Sequence, residues 1–465
     1  MVEQETNVEN GKSEIDAKSG ILHESENNDR VHGEAQNVND YIEGWLNIYE
    51  RRQNGKVDAF NEDNLREIVN SIESDNNIVY KYDFIYDFLD YSISERKLSC
   101  GTITQSINND YNFLSLDIVR RLIKNNLIAI KDLDFNGIDD KVRGEIIVLL
   151  TNDCQNPQPS MPSRELKIDK SSISTQIYFW GLPSSGKTCV LGSLMSFLQS
   201  GKVQNVQSCK PDPRSPGYLY MHGNNRDDNG IVGIFTPKQN KQTILLPGST
   251  PPQYAYNTNY TLRIHGDDRK DKDYPVTIVD FAGETLNKIY GIVTGSGDNG
   301  NKKEDLKKLL PMLFENKEGK HQMHFFLIDY CNDNNNEQNN MLLQTAQFIK
   351  EEKLFANNTK RISIIVTKID KTGCTTLNDQ KCAAERLFGI GGEYSNFKGV
   401  LDAICDDYQI EKVNVIPYSV GKLYFQRICV TDTAYPKELF DKIYKYGLCP
   451  NPSGIWSRIK KIWRK

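Results

Sequence analysis

The stretch IYFWGLPSSGKT (177–188) decides the fold. Its apolar half ends at Trp180 and predicts a buried strand, and Gly181–Thr188 fits the pattern G-x-x-x-x-G-K-[ST]. Downstream, apolar residues at helical spacing from Val190 to Leu198 predict a helix that stops at Gly201. A glycine-rich loop between a strand and a helix presents its backbone N–H groups to a phosphate. The sequence therefore predicts a phosphate-binding loop.

The side chains at the end of this loop suit a nucleotide with its metal. Lys187 can place its ammonium on the β and γ phosphates, and the Thr188 hydroxyl can ligate Mg²⁺. Gly181 and Gly186 allow the backbone to wrap a phosphate. The predicted nucleotide contacts in this loop are Gly181, Pro183, Ser184, Ser185, Gly186, Lys187, Thr188 and Cys189.

A second motif lies in the run YPVTIVDFAGE (274–284). The strand predicted over Val276–Val279 ends at Asp280, whose carboxylate can hold Mg²⁺ through its water shell. Gly283 can offer its backbone N–H to the γ-phosphate. The pattern D-x-x-G is a weak signal alone, but its place after the phosphate loop and on a strand makes it strong. The preceding NYTLRIHG (259–266) predicts an antiparallel hairpin partner for this strand.

A third segment, RISIIVTKID (361–370), suits recognition of a purine base. Its buried strand is followed by Thr367, Lys368 and Asp370. The carboxylate of Asp370 can accept hydrogen bonds from the N1–H and N2–H₂ groups of guanine, which adenine cannot supply. The aliphatic stem of Lys368 can lie along the base. This segment therefore predicts a preference for guanine.

A fourth segment, VNVIPYSVGK (413–422), predicts another strand that ends at Ser419. Backbone N–H groups from Val420 onward can contact the base. Ser419 and Val420 therefore complete the predicted nucleotide-binding residues.

Apolar β-type runs alternate with helical patterns through the second half of the chain. Strand and helix in alternation predict an α/β fold with a mostly parallel, doubly wound sheet covered on both faces. The predicted strands are Gln176–Trp180, Tyr260–Ile264, Val276–Val279, His324–Ile328, Ile362–Val366 and Val413–Ile416.

Upstream of the sheet, the sequence divides into three segments. Residues 1–40 are rich in Glu, Asn, Asp and Ser and predict a disordered acidic tail. Residues 41–151 carry apolar residues at spacings of three and four, which predicts a small all-helical domain. Prolines among polar residues predict an extended linker over 152–175, and the nucleotide-binding domain then covers 176–450.

Nothing in the helical domain suits catalysis. Its predicted buried faces include Leu65, Ile68 and Ile72 and, further on, Ile85, Phe88 and Leu89. Gly137 and then Asp139 predict a helix stop and a new N-cap. Two roles stay open for this domain: a module that recruits a protein partner, or a packing extension of the next domain.

Composition limits the compartment and the class of partner. The net charge of -5 over 465 residues gives no electrostatic reason to expect nucleic acid. Ten cysteines are scattered without a CxxC pair or zinc-ligand spacing, which favours reduced thiols. No apolar h-region follows Met1, and no run approaches about 18 apolar residues. We therefore expect a cytoplasmic protein.

The ordered set GLPSSGKT, DFAGE, TKID and YSVGK resembles the motifs of the translation-factor-related (TRAFAC) P-loop GTPases, over about residues 175–447. The phosphate loop is similar to that of Era-like and Obg-like GTPases, and TKxD occurs in Rho-type small GTPases. The tail, helical module and long insertions also resemble the predicted double-GTPase proteins of bacterial conflict systems. The resemblance implies GTP as the ligand and Mg²⁺ as the cofactor.

The resemblance also implies residues for hydrolysis. Glu284 occupies the position where Ras-like proteins place a water-orienting Gln, and Lys187 and Gly283 complete the implied catalytic set. Because a carboxylate near the γ-phosphate adds repulsion, we expect slow intrinsic hydrolysis. A switch threonine that ligates Mg²⁺ should precede Asp280, and we choose Thr250 from a Pro/Gly loop. The competing threonines are Thr236, Thr243 and Thr258.

The C-terminal segment 451–465 predicts a basic amphipathic helix. Within Ile455–Lys465, five apolar residues lie at helical spacing among five basic ones. Such a stripe suits an anionic membrane surface, reached from the cytoplasm as a peripheral contact, or a partner's groove. The alternative is a terminal helix that packs on the nucleotide-binding domain.

Three functions are open from the sequence. The first is a regulatory GTPase, in which GTP with Mg²⁺ orders loops that hydrolysis releases, and the helical domain or an unknown protein partner reads the difference. The second is a GTP-binding scaffold without hydrolysis, motivated by Glu284 and the expanded loops. The third, a P-loop ATPase or kinase, has to treat TKID and YSVGK as accidents.

Overall fold

The computed structural model describes residues 60–74, 78, 80–152, 175–203, 206–223, 230–238, 241–247, 256–265, 271–280, 286–287, 289–291, 321–331, 335–355 and 359–448. The chain divides into two compact units, Met1–Asp134 and Phe135–Lys465. Some predicted features lie outside the described residues: the acidic tail 1–40, most of the linker 152–175, Thr250, Gly283, Glu284 and the segment 451–465.

Helices make up most of the described part of the first unit. They are α1 (Glu62–Ser74), α2 (Lys81–Ser94), α3 (Cys100–Asn109) and α4 (Leu116–Lys124), followed by a 3-10 turn at Ile130–Asp132. The apolar positions predicted from the sequence are buried, including Leu65, Ile72 and Phe88. Helices this short are marginal alone in water, so these buried faces supply most of their stability.

The helix α5 (Asp140–Thr151) groups with the second unit. It follows Gly137, whose φ of 78° is left-handed. Asp139 caps it by accepting backbone N–H groups of its first turn, which confirms the predicted N-cap. The Glu145 carboxylate accepts from the backbone N–H and the hydroxyl of Thr243 at 2.9 and 2.7 Å. The sequence had assigned α5 to the helical domain, but these bonds join it to the unit that contains the sheets.

The described strands of the second unit form two sheets. They are β1 (Thr175–Gly181), β2 (Val206–Pro211), β3 (Thr243–Leu245), β4 (Tyr256–His265), β5 (Asp271–Asp280), β6 (His321–Asp329), β7 (Thr359–Thr367), β8 (Asn414–Pro417), β9 (Gly421–Tyr424) and β10 (Ile428–Thr431). The larger sheet has the order β2-β4-β5-β1-β6-β7-β8, and the smaller has the order β3-β10-β9.

The seven-stranded sheet is mixed and mostly parallel. β1 pairs in parallel with β5 and β6, and the parallel pairing continues through β7 to β8. β4 is antiparallel to both β2 and β5. With the helices around it, this sheet makes the protein α/β.

Helices connect the strands of the second unit. They are α6 (Lys187–Gln199), α7 (Tyr218–His222), α8 (Ile231–Phe235), α9 (Asn335–Glu351), α10 (Leu377–Arg386), α11 (Ser395–Asp407) and α12 (Ala434–Ile443), with a 3-10 turn at Ile369–Thr372 and a π-helical turn at Tyr444–Leu448. Every residue of β1 is buried. A strand covered on both faces has a continuous apolar sequence, as this one has.

The strand predictions are confirmed at the centre of the sheet and incomplete at its margins. Each predicted run overlaps an observed strand, and the predicted antiparallel partner is confirmed by the pairing of Tyr260 with Val276. The sequence analysis did not predict β2, β3, β9 or β10. Three of these have only three or four residues, too few for a clear alternation of apolar and polar positions.

None of the described helices has the length and apolar character needed to cross a lipid bilayer. The eight described cysteines form no disulfide.

Candidate nucleotide-binding site

The parallel strands bring the predicted motifs to one edge of the sheet. The register places Phe179 of β1 opposite Asp280 of β5, and Asp329 of β6 opposite Thr367 of β7. Strand β1 lies between β5 and β6. The later strands of the chain therefore add to the sheet on both sides of β1, which makes β1 a switch point in the topology. Open α/β sheets bind ligands outside the carboxyl ends of their strands at such a switch point.

Two glycines allow the phosphate-binding loop to fold tightly between β1 and α6. Gly186 has a φ of 82°, and a Cβ there would lie 3.3 Å from the side chain of Thr367. A Cβ on Gly181 would lie 2.4 Å from the Ser185 hydroxyl. The loop therefore needs glycine at both predicted positions. Its exposed tip consists of Pro183 and Ser184.

The predicted phosphate ligand Lys187 turns back onto its own loop. Its Nζ donates to the backbone oxygens of Gly181 at 2.7 Å and Leu182 at 3.0 Å. The residue is only 9% exposed, so its ammonium is largely removed from water. A phosphate at this place would offer full negative charges instead of carbonyl dipoles, and the attraction between opposite charges is strengthened where water is excluded.

Asp280 presents a buried carboxylate at the same edge of the sheet. Its Oδ1 atom has no hydrogen-bond partner within the described ranges. Burial raises the pKa of Asp280 from 3.8 to about 6, and the nearby Lys187 ammonium acts in the opposite direction. Because a buried oxygen without a partner costs about 1–3 kcal/mol, this carboxylate fits a cation that arrives with a ligand.

The donor set suits a cation that is shared with phosphates. Where the chain is described, no group of three or more His, Cys, Asp or Glu side chains is placed to bind a metal ion. Mg²⁺ in nucleotide sites is usually held by one or two protein ligands, phosphate oxygens and water. Thr188 and Asp280 fit that requirement through oxygen atoms.

Thr188 lies beside a residue that the sequence analysis did not identify. Its hydroxyl is 3.3 Å from the hydroxyl of Tyr220. Tyr220 is 2% exposed and belongs to α7, within the long insertion between β2 and β3. A tyrosine in a five-residue helix has no motif around it, so the sequence contained no signal for this contact.

Thr367 joins the TKID segment to the phosphate-binding loop. Its hydroxyl lies 2.9 Å from the backbone oxygen of Ser185 and 3.1 Å from that of Ile328. The residue is buried at the end of β7. Two motifs far apart in the sequence are therefore in direct contact.

Lys368 pairs with a carboxylate that the sequence analysis also missed. Its backbone is left-handed, with a φ of 56°. Its Nζ lies 2.5 Å from Oδ2 of Asp329, a 7% exposed residue at the end of β6. The other Asp329 oxygen accepts from the backbone N–H of Cys331 at 2.9 Å. The available signal was the position of Asp329, which ends an apolar strand as Asp280 does.

Asp370 follows Lys368 in the 3-10 turn and is half-buried. The backbone N–H of Ile369 donates to the backbone oxygen of Tyr418 at 3.3 Å. Tyr418 in turn donates its backbone N–H to Val366 at 2.8 Å. These bonds hold the TKID turn against the YSVGK segment, where the sequence predicts base recognition.

Ser419 and Val420 form a turn that leads into β9. The Gly421 backbone N–H donates to the Ser419 hydroxyl at 3.1 Å, so this N–H already has a partner within the chain. The Val420 carbonyl accepts from the backbone N–H of Asp432 at 3.1 Å. The sequence predicts base-contacting backbone from Val420 to Lys422, whereas β9 begins at Gly421 and pairs with β10.

Cys189 follows Thr188 and lies close to Lys368. Burial raises the pKa of the Cys189 thiol to about 11, while the Lys368 ammonium acts in the opposite direction. The thiol is therefore neutral near pH 7 and offers a weakly polar contact.

The three described candidates for the switch threonine are engaged elsewhere. The Thr236 hydroxyl lies 2.7 Å from the Val232 carbonyl, Thr243 binds Glu145, and Thr258 is buried in β4. Thr250 lies outside the described residues, so its role stays a prediction.

No family model matches this chain, and no curated protein matches it.

Proposed function

We propose that this chain binds GTP with Mg²⁺ and hydrolyses it to GDP as a regulatory switch. The observation that carries the proposal is the hydrogen bond from the Thr367 hydroxyl to the Ser185 carbonyl. It joins the base-recognition segment to the phosphate-binding loop at the switch point of the sheet. A nucleotide needs groups for its base and for its phosphates within one molecular length, and the contact between these two segments supports that requirement.

The preference for guanine rests on Asp370. Asp370 is half-buried two residues after Lys368, and the turn that carries it is bonded to Tyr418. A carboxylate accepts two hydrogen bonds from guanine and finds no matching donors on adenine. The ordered motifs and the mostly parallel sheet support the finer assignment to a doubly wound P-loop GTPase fold.

The phosphates and the metal would lie at the other end of the site. Thr188 and Asp280 would hold Mg²⁺, and the cation would neutralise charge that develops on the phosphates during transfer. Lys187 would exchange the Gly181 and Leu182 carbonyls for phosphate oxygens. Gly283 and Glu284 keep the roles that the sequence predicts, an N–H donor to the γ-phosphate and a residue that orients water.

The helical domain or an external protein partner would distinguish the GTP-bound form from the GDP-bound form. Binding of GTP would order the loops near Asp280, and hydrolysis would release them. We propose a cytoplasmic location, and the segment 451–465 as a peripheral contact with an anionic membrane.

Product formation tests the proposed activity. The full chain is incubated with GTP or with ATP in the presence of Mg²⁺, and released GDP or ADP is measured over hours. We expect slow GDP formation by the wild type and by Lys210→Ala, a control at an exposed lysine of β2, and none by Lys187→Ala. Tight GTP binding without GDP would favour the scaffold, and faster ADP formation would favour the ATPase.

A further inference from the structure

We infer that Tyr220 is a positioning residue for Thr188 and thereby for the Mg²⁺-dependent part of nucleotide binding. The inference rests on the proposed function, because it assigns Thr188 to the metal. Its observation is the 3.3 Å separation between the two hydroxyl oxygens. Tyr220 and the predicted switch threonine, Thr250, both lie in the long interval of sequence between Lys187 and Asp280.

The insertion is fixed on the helix that carries Thr188. α8 packs on α6 at Gly192, where a Cβ would lie 2.2 Å from the Phe235 ring and 2.8 Å from Ile231. Glycine inside a helix costs about 1 kcal/mol relative to alanine. The close approach of α8 explains why a glycine stands at position 192 despite this cost. The Thr236 hydroxyl adds a 3.0 Å contact with the hydroxyl of Ser196.

A second anchor holds α7 against β4. The His222 Nε2 atom lies 3.1 Å from the Tyr260 hydroxyl, and the Asp212 backbone N–H donates to the Asn259 carbonyl at 2.8 Å. A Cβ on Gly230 would lie 2.2 Å from the His222 backbone, so α7 also touches the start of α8. Tyr220 is thus held from both sides, and its hydroxyl has a defined position.

The chemistry of a hydroxyl explains what this contact does. Thr188 Oγ1 has one hydrogen and two lone pairs. When it donates its hydrogen to the Tyr220 oxygen, its lone pairs remain for a cation. Groups that orient a metal ligand in this way commonly change metal affinity 10- to 100-fold when they are mutated. Burial of Tyr220 removes water that would otherwise compete for the same hydrogen.

Tyr220→Phe tests this assignment because it removes one oxygen and keeps the ring. Affinity for GTP is measured in Mg²⁺ and in EDTA, and thermal unfolding is followed for both proteins. We expect the gain in affinity from Mg²⁺ to fall about tenfold, with the affinity in EDTA and the unfolding midpoint unchanged. Tyr218→Phe, on the same helix, is the matched control and should retain the full gain.

Three outcomes overturn the inference. In Tyr220→Phe, the gain in GTP affinity from Mg²⁺ could be unchanged, it could increase, or GTP affinity could fall equally in Mg²⁺ and in EDTA. An increased gain would mean that the Tyr220 hydroxyl donates to the Thr188 oxygen and competes with the cation for its lone pair. These three outcomes leave the proposed function standing. If Mg²⁺ does not raise the GTP affinity of the wild type, the proposed function fails together with this inference. In a Thr188→Ala background, Tyr220→Phe should have no further effect on the gain.

Discussion

The two ends of the candidate site, proposed for the base and for the metal, differ in how far bonds within the chain already engage their side chains. At the base end, Thr367 binds the Ser185 carbonyl, and Lys368 pairs with Asp329. At the metal end, Lys187 bonds to carbonyls of its own loop, and Asp280 Oδ1 has no partner in the described part of the chain. The proposed base end is therefore held by bonds within the chain, whereas the proposed metal end has a buried carboxylate oxygen without a partner among the described residues.

This difference has a physical cause. A base is recognised by neutral and singly charged groups whose positions must be fixed in advance, since pre-organisation lowers the cost of binding. A metal and phosphates bring their own charges, so residues that receive them keep buried polar atoms unsatisfied until they bind. The metal end should consequently respond more strongly to ligand than the base end.

Lys187→Ala should have the largest effect, because it removes the cation of the metal end. Charge-assisted hydrogen bonds contribute about 1.5–3 kcal/mol each, so loss of contacts to two phosphates should weaken GTP binding at least about 100-fold. Isothermal titration calorimetry measures the affinity, with Lys210→Ala as control. Unchanged GTP affinity in Lys187→Ala would contradict the assignment of Lys187 to the phosphates.

Asp370→Asn should break the base end and leave the metal end intact. We expect GTP affinity to fall by about two orders of magnitude, because the amide presents a donor to the guanine N–H groups. Xanthosine triphosphate should bind more tightly to the variant than to the wild type, since its C2 oxygen accepts from that amide. Parallel titrations with both nucleotides check this. Loss of both affinities to the same degree would instead indicate a general structural defect.

Lys368→Met and Asp329→Asn should differ in stability although they break the same ion pair. Lys368→Met leaves the Asp329 carboxylate buried without its cation and should lower the free energy of unfolding by about 2 kcal/mol. Asp329→Asn leaves Lys368, whose side chain is 43% exposed and can be hydrated, so its cost should be about 1 kcal/mol or less. Urea unfolding of the ligand-free variants measures both. Equal costs would show that burial of Asp329 does not decide the energy of the pair.

His222 should give the smallest effect, confined to the insertion beside the metal end. Burial lowers the pKa of His222 from 6.5 to about 4, and the groups that face it are the hydroxyl of Tyr260 and the ring of Tyr218. The folded state binds the proton less well, so stability is complete above pH 6.5 and is lost as pH falls toward 4.

Between pH 7 and pH 5 this should cost about 1 kcal/mol, with allowance for the partial exposure of the imidazole. The measurement is the difference in urea unfolding between the wild type and His222→Gln at each pH. If the difference in the free energy of unfolding between the two proteins does not change from pH 7 to pH 5, His222 does not make this contribution.

The centre of the fold could be predicted because strong local patterns specify it. The runs at Ile362–Val366 and Gln176–Trp180 are long, apolar and bounded by glycine or polar residues, and both are strands. Asp139 could be predicted as an N-cap because the capping bond is local. The antiparallel partner of β5 followed from the short turn between the two runs.

The parts that could not be predicted depend on long-range contacts. Asp329 meets Lys368 because β6 and β7 are adjacent, and Tyr220 contacts Thr188 across 32 residues of sequence. A sequence shows which residues follow one another but not which surfaces meet across a sheet. The Glu145 bond to Thr243, which joins α5 to the second unit, belongs to the same class.

We propose that one edge of the sheet binds a guanine nucleotide together with Mg²⁺. Calorimetric titration of the full chain with GTP and with ATP, each in Mg²⁺ and in EDTA, tests it most directly. We expect GTP to bind at least about a hundredfold more tightly than ATP, and Mg²⁺ to strengthen GTP binding. Equal affinities for GTP and ATP, or GTP binding that is indifferent to Mg²⁺, would contradict it.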